Sequence, residues 1–196
     1  MTLENCNAVY DYYLTHKQNV VKAKMSYAWL ALKYRPRVAY RTGAKERLSE
    51  LVKSGSRLII AINHLSTSDP YTVAAMASRS VLRPTIGRNR VLAKDELFVD
   101  PEQRRKVDMM GGIPVFRGKN HGIRAVNAAG QRMMDVCAQR MAAGDDIAVF
   151  PEGTTFVDDE VRKTTYRAHK TITDAIKAGD SAAAVRRMTK HVHGYA

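Results

Sequence analysis

His64 and Asp69 stand five positions apart in Asn63-His64-Leu65-Ser66-Thr67-Ser68-Asp69. An imidazole and a carboxylate that close are the parts of a general base. The carboxylate fixes the tautomer and supports the imidazolium that forms when a proton is taken. Before the pair lies the apolar run Leu58-Ile59-Ile60-Ala61-Ile62, which reads as a buried strand. After it comes Pro70, and proline is favoured at the first position of a helix. The stretch predicts strand, tight loop and helix, with a loop able to fold the carboxylate back onto the ring. Asp before Pro is also an ordinary helix cap, and that role needs no histidine.

Two further segments give the pair a context. One is Gly111-Gly112-Ile113-Pro114-Val115-Phe116-Arg117-Gly118, and the other is Val149-Phe150-Pro151-Glu152-Gly153-Thr154-Thr155. In order with the first, they resemble three blocks of the glycerophospholipid acyltransferases: Asn-His-x4-Asp, Gly-x-Ile-x-Val-x-Arg and Phe-Pro-Glu-Gly-Thr. Lys94-Asp95-Glu96-Leu97 is similar to the Lys-x-Glu-Leu that precedes the second of them. The resemblance spans roughly residues 38 to 157. It implies transfer of a fatty acyl group from an acyl-thioester, carried by coenzyme A or acyl carrier protein. The implied acceptor is the free hydroxyl of a lysophospholipid such as 1-acylglycerol 3-phosphate. No metal or resident cofactor is expected.

The residues then take roles. His64 is the expected base and Asp69 its orienter. The oxyanion that develops on the thioester carbonyl needs donors. Backbone N–H groups near Pro70 and the Lys94 ammonium are both candidates. Arg117 follows a predicted strand, and a guanidinium matches a phosphate with two hydrogen bonds. The resemblance assigns it to the acceptor's phosphate; otherwise it is a surface arginine at a strand end. The resemblance also places Glu152, Gly153 and Thr154 at the acceptor. A carboxylate there can accept from a glycerol hydroxyl, and the amides can face a phosphate. Glu152 could instead hold its own loop.

The chain has 196 residues, 45% of them hydrophobic, enough for one core. Its two cysteines, Cys6 and Cys137, form no disulfide framework and suggest a reduced, cytosol-facing protein. The net charge of +13 implies an anionic partner: a membrane surface, a nucleic acid or a phosphorylated ligand. From Tyr12 to Lys45 there are eight basic residues and no acidic one. Trp29, the only tryptophan, lies there with five tyrosines, while Val21, Met25, Ala28 and Leu32 recur at helical spacing. That pattern fits a helix in an anionic membrane interface. It fits equally a core helix with a solvated basic face. No apolar run approaches the roughly 20 residues that span a bilayer, and the N-terminus does not read as a secretory signal. Membrane association is therefore expected to be peripheral, on the cytoplasmic side.

Residues 1–37 are expected to form a basic amphipathic helical segment, with the acyltransferase domain at 38–196. Helix is predicted over 5–34, 44–53, 71–80, 94–110 with an interruption at Asp100-Pro101, and 122–143. Strand is predicted over 38–41, 58–62, 82–87, 113–116 and 147–150. Such alternation predicts a layered α/β fold with a largely parallel central sheet flanked by helices. Beyond about residue 158 the chain departs from the family. It reads there as two polar helices divided near Gly179, and Thr155 stands where a basic residue is common. This leaves a rival reading, a non-catalytic lipid-binding protein on a membrane surface. A nucleic-acid binder would find charge but no recognisable module, so no nucleic-acid partner is expected.

Overall fold

The computed structural model describes residues 2–117 and 123–151, together with 167, 170, 171, 174 and 183. Among these, six α-helices and four strands alternate. They are α1 (Cys6–Thr15), α2 (Val20–Tyr34), α3 (Ala44–Lys53), β1 (Ile59–Ala61), α4 (Asp69–Ser78), β2 (Asn89–Lys94), α5 (Pro101–Met109), β3 (Gly112–Val115), α6 (Ile123–Ala142) and β4 (Asp146–Val149). The strands lie in the order β1-β4-β2-β3, and every pair is parallel. This is the layered α/β architecture that the alternation predicts. The chain divides into two compact units: Met1–Ile62 with Ser68–Val149, and Asn63–Thr67 with Phe150–Ala196.

All ten elements belong to the first unit. Two apolar clusters hold it together. In one, Tyr10 and Tyr13 of α1 and Met133, Val136 and Cys137 of α6 pack with Ile113 and Ile147 of the sheet. In the other, Ala23, Tyr27, Leu30 and Ala31 of α2 meet Ala74, Ala75 and Ala77 of α4, with Leu58 and Ile60 beside them. The alanines let the two helices approach closely. Pro114 sits within β3, which a proline tolerates only at a sheet edge. The edge is not bare: Tyr10 of α1 donates its hydroxyl to the Pro114 carbonyl at 3.1 Å.

A buried ionic knot ties the α1–α2 junction to the sheet. Arg90, 2% exposed, donates Nε–H to Asp145 at 2.7 Å and Nη2–H to the His16 carbonyl at 3.0 Å. Arg140 donates to the same carboxylate at 2.6 Å and to the Leu14 carbonyl at 2.9 Å. One carboxylate thus compensates two guanidiniums, each also bonded to main chain. Without it, two cations would be left uncompensated in a low-dielectric interior.

Several sequence expectations need correction. Residues 5–34 form two helices rather than one, with a break over 16–19. Asn19 caps α2 by accepting from the Lys22 N–H at 3.0 Å, and Gln18 donates its amide to the Met109 carbonyl at 3.0 Å. Residues 38–41 are not a strand, although the turn at Thr42-Gly43 is present. Residues 82–87 are no strand either; Arg83–Thr85 makes a 3-10 turn around Pro84 and the strand follows as β2. Lys94 closes that strand, so helix is absent until the 3-10 turn Asp95–Phe98 and then α5, which starts at Pro101. β1 is not a fully buried strand: as an edge strand it leaves Ile59 70% exposed. Residues 167, 170, 171, 174 and 183 are helical, and the rest of the expected tail helices lie outside the described residues.

Candidate active site

Parallel strands share one carboxyl edge, and ligands of open α/β sheets bind beyond that edge where the strand order reverses. Here β3 lies outside β2, and the chain then returns through α6 to insert β4 between β1 and β2. Each candidate block begins where one of these strands ends. β1 runs into Asn63-His64, β2 ends at Lys94, β3 is followed by Phe116-Arg117, and β4 by Phe150-Pro151.

Asp69 opens α4 one residue earlier than Pro70 alone predicts. Ser68 takes the capping position, and its carbonyl accepts from the Tyr71 and Thr72 N–H groups at 3.1 and 3.0 Å. Asp69 itself sits in the first helical turn, where backbone N–H dipoles favour a carboxylate. It belongs to the first compact unit. His64 belongs to the second, where its half-buried ring lies against Phe150 with centroids 4.7 Å apart and a 41° tilt. The aromatic neighbour limits ring motion and sheds water from one side of the imidazole.

Lys94 and Arg117, 23 positions apart in sequence, are brought to one carboxylate. Register explains this: Lys94 pairs with Val115 across β2 and β3, so Arg117 leaves the sheet just beyond Lys94. Glu96 receives Arg117 Nη2–H at 2.7 Å on Oε1, and its Oε2 lies 3.4 Å from Lys94 Nζ. Arg117 Nε is buried with no hydrogen-bond partner among the described residues. The neighbouring residues anchor the pair. Phe116 is buried edge-on to Tyr10 at 6.0 Å, and Phe98 of the 3-10 turn that carries Glu96 is 2% exposed. The three charged groups are themselves a third to a half exposed, so the pairing is weak and exchangeable.

Glu152, Gly153 and Thr154 lie outside the described residues. Two participants escaped the sequence reading. Glu96 was visible only as part of Lys94-Asp95-Glu96-Leu97, and its link to Arg117 crosses between strands. Phe150 was read as the last residue of a strand, whereas β4 ends at Val149 and frees the ring. The glycines before Ile113 do packing rather than chemistry. Gly111 has φ +80°, and a Cβ there would meet the Asn89 carbonyl oxygen at 2.2 Å.

Comparison with curated proteins and with solved structures gave no match. A family model described as acyltransferase matches residues 43–181, well over half of the chain. That span contains β1 through β4 and every block that begins at their carboxyl ends. The chain belongs to the glycerophospholipid acyltransferase family, and its domain is that of an enzyme transferring acyl groups.

Proposed function

We propose that the protein moves a fatty acyl group from an acyl-thioester, of coenzyme A or acyl carrier protein, to the free hydroxyl of a lysophospholipid such as 1-acylglycerol 3-phosphate. The observation that carries this reading is the pairing of Lys94 and Arg117 on Glu96 beyond the carboxyl ends of β2 and β3. Two cations held by one weakly bound carboxylate form a site that a phosphate can take over. Its three oxygens and charge of about −1.5 to −2 satisfy the fork and the ammonium better than a carboxylate does.

His64 then serves as general base. The acceptor hydroxyl gives its proton to the imidazole as its oxygen attacks the thioester carbonyl. The carbon–sulfur bond breaks, and the departing thiolate takes the proton. Asp69 steadies the imidazolium in between. Such assistance is typically about 10² to 10⁴-fold, roughly 3 to 6 kcal/mol of the barrier. Glu152, Gly153 and Thr154 complete the acceptor site in this reading.

The test is incubation with acyl-coenzyme A and a panel of lysophospholipids, read by mass spectrometry of the lipid and by release of free thiol. Diacyl product from a phosphomonoester acceptor, with one thiol per ester formed, is expected. Lipid binding without thiol release would replace this reading with that of a non-catalytic lipid-binding protein.

A further inference from the structure

His64 stands on a stretch of chain that no regular structure holds. Residues 62–65 belong to no helix or strand, and His64 lies three positions beyond Ala61, the last residue of β1. A base on irregular chain needs outside support, since sites on loops are less precise than sites on strands and helices. Asp69, its proposed orienter, opens α4 in the other compact unit. Within the unit that carries His64, the described ring that meets the imidazole is Phe150, with centroids 4.7 Å apart and planes tilted by 41°.

Phe150 is placed far more firmly than His64. It follows Val149, which closes β4, pairs in register with Ala61 and accepts the Ile62 N–H at 2.9 Å. Pro151 comes next, and the residue before a proline is driven out of helical conformations into extended ones. With its backbone constrained on both sides, few directions remain open to the Phe150 ring. The separation of the two rings is at the close end of the range for favourable aromatic pairs.

We propose that Phe150 is a positioning residue, whose ring props the His64 imidazole in the orientation from which a ring nitrogen takes the acceptor's proton. This rests on the general-base role proposed for His64 and deepens it. In this role Phe150 touches no reacting atom, so its effect passes through the imidazole. Losing the ring contact alone is worth about tenfold at most. Displacing a reacting group by about 1 Å can cost about hundredfold. The loss of Phe150 should fall between the two, below the loss of the base itself. Simple packing makes a different demand: leucine is apolar and fills much of the same space, so it would satisfy packing. Only a flat ring satisfies the positioning role.

The experiment compares Phe150→Leu, Phe150→Tyr and His64→Ala as full chains, with acyl-coenzyme A and 1-acylglycerol 3-phosphate. Phe150→Leu should lower kcat by roughly tenfold to hundredfold and leave both KM values nearly unchanged. Phe150→Tyr should restore most of kcat. In a His64→Ala background Phe150→Leu should cost nothing further, because residues that act as one unit are not additive. Proton NMR gives a readout independent of turnover. The carbon-bound imidazole protons of His64, assigned by their absence from His64→Ala, should carry a ring-current shift that leucine removes and tyrosine keeps. Three results would overturn the proposal: full turnover in folded Phe150→Leu beside an inactive His64→Ala, a raised acceptor KM with kcat retained, or His64 proton shifts that ignore the leucine. The second would make Phe150 a support for residues 152–154 instead. Wild-type turnover in folded His64→Ala is a separate outcome: it would remove the general-base reading itself, and this inference with it.

Discussion

An imidazole that accepts a proton needs one tautomer and one orientation, and that requirement separates the roles proposed for His64 and Asp69. His64→Ala removes the base itself. Turnover should fall by about 10² to 10⁴-fold, with melting little changed, since the ring is half-buried and its one described aromatic contact is Phe150. Asp69→Asn keeps a polar group in the first turn of α4 but removes the charge. The rate should drop strongly without reaching the His64→Ala level. An unchanged rate with a lower melting temperature would leave Asp69 only its favourable place at the helix N-terminus. At this scale the blocks that carry the candidate residues were legible because each is local in sequence. Glu96 against Arg117, and Arg90 with Arg140 on Asp145, were not. Those groups meet only after strands have paired and helices have crossed, and no local pattern announces a buried ionic knot.

Elements were legible where burial is periodic and terminators are strong. α3 runs over Ala44–Lys53, as Gly43 before it and Ser54-Gly55 after it suggest, and α6 follows its apolar spacing. β2 was missed for a physical reason: its first residues are Asn89 and Arg90, which are buried but polar. The apolar residues nearby, Leu82 and Ile86, belong instead to a turn that packs against α2 and α4. Gly111 shows how such a junction is held. It joins α5 to β3 at φ +80°, where a Cβ would overlap the Asn89 carbonyl oxygen and the Gln18 amide at 2.2 and 2.6 Å. A left-handed residue and an overpacked contact act together, so Gly111→Ala should cost roughly 2–4 kcal/mol. Urea unfolding would measure it. Gly43→Ala serves as the comparison, since its φ is +73° but nothing lies within 4 Å of the added carbon. Equal losses at the two positions would mean that the contact with β2 contributes nothing.

Over the whole molecule, alternation of strand and helix was enough to indicate a parallel sheet, while the division into two compact units was not legible. That division interrupts the chain inside the His64–Asp69 block, and no shift in composition marks it. Composition is equally silent on how the fold responds to pH. Three tyrosines decide the alkaline limit. Tyr10 and Tyr13 are fully buried and Tyr27 is 4% exposed. Burial raises each hydroxyl above its ordinary value near 10, Tyr27 to about 12, and the Asp108 carboxylate that accepts the Tyr13 proton at 2.9 Å raises that one further. Above pH 10 the unfolded chain therefore releases protons that the native chain keeps. The tyrosine contribution should be flat below that point and fall as pH rises through 10 and beyond, by up to about 1.4 kcal/mol per pH unit for each tyrosine, and the Cys137 thiol, pushed up to about 11 by burial, adds a loss that begins near pH 9. Deprotonation of surface lysines relieves some self-repulsion in the same range, but exposed charges are already screened over about 10 Å at 0.1 M salt. The tyrosines should win, and three of them acting together can exhaust a stability of about 5–15 kcal/mol within a few pH units. The part of the phenolate absorbance that belongs to these three buried tyrosines should therefore appear together with the loss of far-ultraviolet circular dichroism, in one cooperative step above pH 10. Tyr27→Phe should move that step upward, because it removes one of the three groups and no described hydrogen bond. If all nine tyrosines ionise near pH 10 with the helices intact, these hydroxyls are reachable by water, and the packing of α1 and α2 within the first unit is looser than the burial of Tyr10, Tyr13 and Tyr27 requires.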